Sequence, residues 1–408
     1  MSFALQPQTP AGAAVVAAAA QLVPELAARA AQADQDNSLC EPNFAALVDS
    51  GVAAAFVPES LGGFGLQSVH DWILTIATLA RGDASTAIAI NMQLGVSRGM
   101  AQAWSAALAR EQSTAALEAP LKALASGAMK ICATATEPGT DNLHPLTEAV
   151  RDGDDYLING HKIFVTMSPI ATHLGMNLRM RDDSGDHLVT TMLPMNAAGV
   201  APQDDWDALG MRGSGSQSVK LRDVRVPASA IRRLGPWGAW SPGVLMNRAM
   251  GNLPLVGAFL GIAEAARDLA VAKLSARERV GKALAAHSGM QHLTGEMEIE
   301  LAQCRTILSA AGRAFDQFLS DHPAGPPGVE EGHRLMKDYQ AAKWVVNRGA
   351  IDIVSKAMDL MGGAGYTNAH PLARLYRDVR AGPFMQPFAP YEAREYIGAV
   401  TLEQWPLG

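Results

Sequence analysis

Helical and strand-like patterning fall in separate blocks along this chain, and that segregation limits the fold more than any single motif. Residues 11–128 read as helices: Ala-rich segments, few β-branched runs, and starts marked by Asp or Ser. A Pro/Gly-rich loop, PESLGGFGL at 58–66, interrupts them, and helical spacing resumes over 72–80 and 84–109. Near Met129 the pattern turns to alternation of apolar and polar residues in KICATATEP, EAVRDGDDYLINGHKIFVTM, HLVTTMLPM and SVKLRDVRVP. DGD at 152–154 and NG at 159–160 predict hairpin turns. PWGAWSP, 236–242, reads as a linker, after which helical spacing returns. Leu255, Phe259, Ile262, Ala266 and Leu269 lie on one helix face, and a second stripe runs from Met290 to Leu319. A loop is expected over 322–332 and a further helix over 337–361. Strands that do not interleave with helices give an α+β fold, not a doubly wound sheet. The expected organisation is an N-terminal α-helical domain (1–128), a central antiparallel β domain (129–240) and a C-terminal four-helix bundle (241–408).

Composition narrows the function. With a net charge of −7 and no cluster of Lys and Arg, the chain lacks a nucleic-acid footprint. Cys40, Cys132 and Cys304 are widely spaced and form no CxxC, so they read as reduced structural thiols of a cytoplasmic protein. No His pair has metal-ligand spacing, and no metal is expected. The small apolar run at 11–20 lacks a preceding basic segment and reads as an amphipathic helix, with no membrane span expected.

Residues 359–397 are the most informative stretch. A long helix breaks at Gly362, Gly363 and Gly365, passes through an Arg377-Asp378 pair, enters a Gly/Pro/Phe-rich loop and ends in a short helix. Loops held between rigid helices commonly carry reactive groups, so this one is expected to wall a buried site. Elsewhere, MRGSGSQS at 211–218 precedes a strand rather than a helix, which makes it a turn and not a dinucleotide fingerprint. FVTM at 164–167 sets Phe164 and Thr166 two residues apart, on one face of a strand.

In order, these motifs resemble the acyl-CoA dehydrogenase superfamily over nearly the whole chain. TEPGTD is similar to the family's TEPGxGSD, two residues shorter; ING-K-FVT to its ING-K-WIT strand; ARERVGK at 276–282 to its ERxxFGK turn; MGGAGYTNAHPLARLYRD to its GGxGY…P…RD stretch. The resemblance implies FAD between the β domain and the late helices, bound by Thr136, Phe164, Thr166, Arg277, Asp359, Gly362 and Gly363, and shared across a homodimer or homotetramer. It places Thr140 near the substrate, together with Gly251 and Asn252 on the first helix of the bundle.

The catalytic positions depart from the family. Most members carry a basic Glu eight residues past the Asp of the RD pair, and that place is Gln386. A minority carry it on the first bundle helix, at the place of Gly251, followed by an Arg where this chain has Asn252. An amide cannot remove an α-proton. The first reading is therefore an FAD-dependent oxidoreductase acting on the CH–CH group of an acyl-CoA or similar thioester. Its base would be Glu392 or a repositioned group, and it would pass electrons to an electron-transfer flavoprotein. The second is a flavin-dependent monooxygenase on the same fold, using reduced FMN or FAD as co-substrate from a flavin reductase. A third is a non-catalytic flavin-binding subunit of a mixed oligomer.

Overall fold

The computed structural model of the chain describes residues 3–276, 278–279, 282–323, 325 and 327–406. Five helices come first: α1 (Pro10–Asp36), α2 (Glu41–Asp49), α3 (Val69–Ala80), α4 (Ala84–Ala109) and α5 (Ala115–Ala125). Side-chain caps set three of the starts: Thr9 for α1, Ser68 for α3 and Asp83 for α4 each accept from backbone N–H groups that the helix itself leaves unpaired. Helix α1 is long and apolar enough to cross a membrane by length and composition alone. Its buried stripe, Val15, Ala19, Leu22, Leu26 and Ala30, packs on α3 as a core-facing helix does.

Eight strands follow: β1 (Ile131–Thr134), β2 (Glu148–Asp152), β3 (Asp155–Val165), β4 (His173–Asp182), β5 (Gly185–Pro194), β6 (Val200–Pro202), β7 (Gln217–Pro227) and β8 (Arg232–Pro236). Their order in one sheet is β6-β7-β3-β2-β4-β5-β8, with β1 also on β4. The expectation of an antiparallel domain needs amendment at β4, which pairs in parallel with both β1 and β2. The DGD turn closes β2–β3 as expected, with Asp152 opposite Asp155 and Gly153 at φ +65°. The Asn159-Gly160 turn does not form; both residues lie inside β3. Gly160 serves close approach instead, since a Cβ there would stand 2.2 Å from the Thr147 hydroxyl oxygen.

The C-terminal helices are α6 (Pro242–Ala276), α7 (Ser288–Asp321), α8 (Val329–Met361), α9 (Pro371–Asp378) and α10 (Pro390–Thr401), with a small hairpin of β9 (Glu278–Arg279) and β10 (Lys282–Ala283) after α6. Three of these are long, and the short α10 docks on α8 as the fourth. Helix α8 starts eight residues before its expected start, because Glu330 and Glu331 favour the positive end of a first turn. One continuous apolar core joins early helices, sheet and late helices. Gly257 and Gly261 seat α6 against α3: a Cβ at either would lie 2.5 Å or less from the carbonyl oxygens of Ile73 and Ala77.

Candidate active site

The RD pair fixes the loop on which the site depends. Arg377 on α9 makes a two-pronged ion pair with Asp34 of α1 and donates to the Leu209 carbonyl oxygen. Asp378, fully buried, accepts at 2.6 Å from the Met211 N–H. Burial pushes its carboxyl up to about 6, against the pull of Arg374. Gly210 lies flush against this corner, where a Cβ would meet the Arg377 carbonyl at 2.4 Å. First helix, sheet and last helices thus meet at one polar knot, and the chain leaves it through a 3-10 segment (Val379–Phe384) into Met385 and Gln386.

Gln386 points at the sheet. Its Nε2 donates to the Thr136 hydroxyl, and its Oε1 accepts from Asn142 Nδ2 at 2.7 Å. Behind it, Arg248 of α6 donates to the Asn142 carbonyl at 2.8 Å. This guanidinium is 5 % exposed, its Nε has no partner, and burial lowers it to about 10. Thr136 leads back to the predicted ring-binding strand: the Ile163 N–H donates to its carbonyl at 3.1 Å. Thr136, Phe164 and Thr166 therefore sit at one end of β1 and β3.

Phe164 and Thr166 do not share a strand face as expected. Register shifts between Lys162 and Val165, Phe164 takes φ +52°, and the strand ends at Val165. The bulge turns Phe164 outward, 52 % exposed and edge-on to Trp206, while Thr166 is buried with its hydroxyl 2.8 Å from Ser216 Oγ, itself 2.7 Å from Ser214 Oγ.

The remaining expected residues are placed as follows. Thr140 donates to the His144 carbonyl within its own turn. Asn252 bonds back to the Arg248 carbonyl. Gly251 accepts from Asn91 and has open space around it, with no atom within 4 Å of a would-be Cβ. Asp359 is exposed on the last turn of α8, and Gly362 and Gly363 are open backbone with Tyr366 83 % exposed beside them. Arg277 lies outside the described residues. Glu392 is engaged in its own helix: its Oε2 accepts at 2.7 Å from the Ala389 N–H, holding the first turn of α10.

Nearby carboxylates are also committed. Glu137 pairs with buried Lys162 and accepts from Leu146 and Thr147 N–H groups; Asp141 holds His144. Asn142 and Arg248 were not expected at the site, nor were Tyr339, which donates to the Gln386 carbonyl, and Lys343, which donates to the carbonyls of Met385 and Phe388. The available signal for three of them was a polar or charged residue falling on the apolar stripe of a long helix.

An aromatic side chain and buried hydroxyls at the adjoining strand end suit a flat, polar-edged ring, so these residues fit a flavin. A helix–sheet–helix chain with this site defines a flavin-dependent oxidoreductase. Comparison with known proteins gives the family. The acyl-CoA dehydrogenase N-terminal, middle and C-terminal domain descriptions match residues 11–117, 131–224 and 244–386. The chain belongs to the acyl-CoA dehydrogenase family. It is 36 % identical over 97 % of its length to an L-evernosamine nitrososynthase of a Micromonospora species, covering 91 % of that protein. It superposes on the nitrososynthase from Micromonospora carbonacea var. africana with TM-score 0.88 at 35 % identity, covering 98 % of this chain and 99 % of that one. It also superposes on KijD3 in complex with FMN and dTDP-3-amino-2,3,6-trideoxy-4-keto-3-methyl-D-glucose, with TM-score 0.88 at 32 % identity, covering 99 % and 96 %.

Proposed function

We propose that this protein is a flavin-dependent N-oxygenase acting on the primary amine of a nucleotide-linked amino sugar. The observation that carries the reading is Gln386, an amide held by Thr136 and Asn142 at the place where a dehydrogenase needs a carboxylate. The alternative carboxylate, Glu392, is engaged in a helix start. Among the described residues, neither of these two positions offers an uncommitted carboxylate for desaturating an acyl thioester. Relatives sharing at least 32 % identity over nearly the full chain are named for amino sugar oxidation or hold an amino sugar nucleotide.

A neutral amide suits this chemistry. An amine reacts with an electrophilic oxygen through its lone pair, so it must be unprotonated. A carboxylate within ~4–6 Å would favour the ammonium form; an amide does not. Gln386 Oε1 uses one lone pair on Asn142, and its second is free to accept an amine N–H. Buried Arg248 fixes Asn142 and, through it, the direction of that lone pair.

When bound, reduced flavin supplies two electrons for O2, so that amine, O2 and reduced flavin give hydroxylamine, water and oxidised flavin. The flavin arrives as FMN or FAD from a separate reductase, and a second copy of this chain covers the open face at Gly362, Gly363 and Tyr366. The test is turnover of dTDP-3-amino-2,3,6-trideoxy-4-keto-3-methyl-D-glucose with NADH, a flavin reductase and FMN or FAD. The expected product gains one oxygen only when O2 is present. Absence of that gain, together with anaerobic bleaching of bound flavin by butyryl-CoA, would overturn the proposal in favour of dehydrogenation.

A further inference from the structure

The loop that carries Gln386 has almost no backbone support of its own. The 3-10 segment ends at Phe384 and α10 begins at Pro390. Pro383, Pro387 and Pro390 lack N–H donors. The carbonyls of this stretch are taken up instead by one face of α8. Residues 339, 343 and 347 lie at successive spacings of four, hence one above the other. Asn347 Nδ2 donates to the Gly382 carbonyl at 2.7 Å, the Tyr339 hydroxyl to the Gln386 carbonyl at 2.8 Å, and Lys343 Nζ to the carbonyls of both Met385 and Phe388, the latter at 2.8 Å. All three side chains are nearly inaccessible, at 2 %, 1 % and 3 % exposed.

We propose that Lys343 is a positioning residue: by gripping the chain on both sides of residue 386, with Tyr339 and Asn347 above and below, it sets the direction of the Gln386 amide. The proposal rests on the reading of Gln386 given above. A buried ammonium is costly unless its donors are satisfied. Here it occupies a place on the apolar stripe that Leu or Met would fill at no such cost. What distinguishes Lys is that one atom offers three donors to carbonyls facing different ways. The carboxylate of Glu392, on α10, lies close enough to favour its charged form, while burial opposes that and brings the group down to about 7. Lys343 acts only through where it holds residues 385–388.

The chain of contacts makes the role separable from general packing. Thr136 and Asn142 hold the tip of Gln386, and α8 holds its backbone. If the grip loosens, the tip alone must define the amide, and the amine acceptor wanders.

The experiment is a double-mutant cycle with Lys343→Met, Lys343→Gln, Gln386→Ala and Lys343→Met/Gln386→Ala, using the amino sugar nucleotide above as substrate. Lys343→Met is expected to lower kcat by about 10- to 100-fold, the scale of a small misplacement in an active site, with little change in KM. Lys343→Gln, which keeps neutral donors, is expected to recover most of the loss. In the Gln386→Ala background, Lys343→Met should do nothing further to kcat. Hydrogen exchange of the 382–389 backbone in the flavin-free protein should rise in Lys343→Met and fall back in Lys343→Gln. Losses that multiply, or a kcat unmoved by Lys343→Met, would overturn the role assigned to Lys343 while leaving the oxygenase reading intact. A Gln386→Ala protein with full turnover would overturn both. Should Lys343→Met fail to fold, Tyr339→Phe removes one grip without changing volume, and the same non-additivity with Gln386→Ala decides the matter.

Discussion

Replacing Lys162 with Met isolates one buried charge beside the site. Lys162 is 0 % exposed and Glu137 5 %; Nζ pairs with Glu137 Oε1 and donates to the Asn177 carbonyl. The other Glu137 oxygen accepts from the Leu146 and Thr147 N–H groups at 2.7 and 2.9 Å. Burial pulls the Lys162 ammonium down to about 8, which still leaves it protonated at neutral pH. Lys162→Met would leave a carboxylate out of water with two backbone donors and without its paired ammonium. Breaking such a pair from one side costs about 3–5 kcal/mol. A Coulomb energy at ~4 Å and an effective dielectric constant near 20, ~4 kcal/mol, gives the same size. At about 1 °C per kcal/mol for a cooperative unit of 408 residues, the melting temperature should fall by about 5 °C. Scanning calorimetry at pH 7 measures it. Lys162→Met/Glu137→Gln, which removes both charges and keeps an amide oxygen able to accept from both N–H groups, should regain most of the stability. Since Glu137 adjoins Thr136, flavin affinity should fall in the single variant and recover in the double. A single variant as stable as the parent at pH 7, or a double that regains nothing, would refute the reasoning.

Gln386→Glu keeps both hydrogen bonds if the Thr136 hydroxyl turns to donate, so the fold should hold. Its charge favours the protonated amine, and the oxygenation profile should shift to higher pH; an unmoved profile counts against the amide's proposed role. The folded Asp378 carboxyl titrates near 6, above the ordinary value of 3.8. A raised carboxyl stabilises most below its unfolded value, and that stability is lost as pH rises through the folded one, over about 4 to 6. Asp378→Asn should flatten this part of the stability–pH curve, followed by chemical denaturation. Glu392→Ala should cost about 1 kcal/mol through the lost start of α10 and leave turnover nearly unchanged; a collapse in turnover would count against a purely structural role for Glu392.

Much of the architecture was legible because hydrophobic spacing is local. The stripe of α6 from Leu255 to Ala266, the DGD hairpin and the turn before β7 all declare themselves within a dozen residues. Errors arose where the same local signal has two physical uses. Asn159-Gly160 looks like a turn, yet Gly160 is there because Thr147 leaves no space for a side chain. Phe164 and Thr166 look like neighbours on one face, yet a bulge sends one outward and one inward. The Glu392 carboxylate is within reach of the loop in sequence, and its own helix start claims it.

By itself the sequence determined the layers, their order and the presence of an amide where a dehydrogenase needs an acid, since each is a matter of residue type and short-range period. Tertiary structure decided what that amide does. Its partners Thr136 and Asn142 lie some 250 and 244 residues away, and its backbone is held from α8. No periodicity encodes such pairings; they exist because the Arg377-Asp378 knot closes first helix, sheet and last helices around one point.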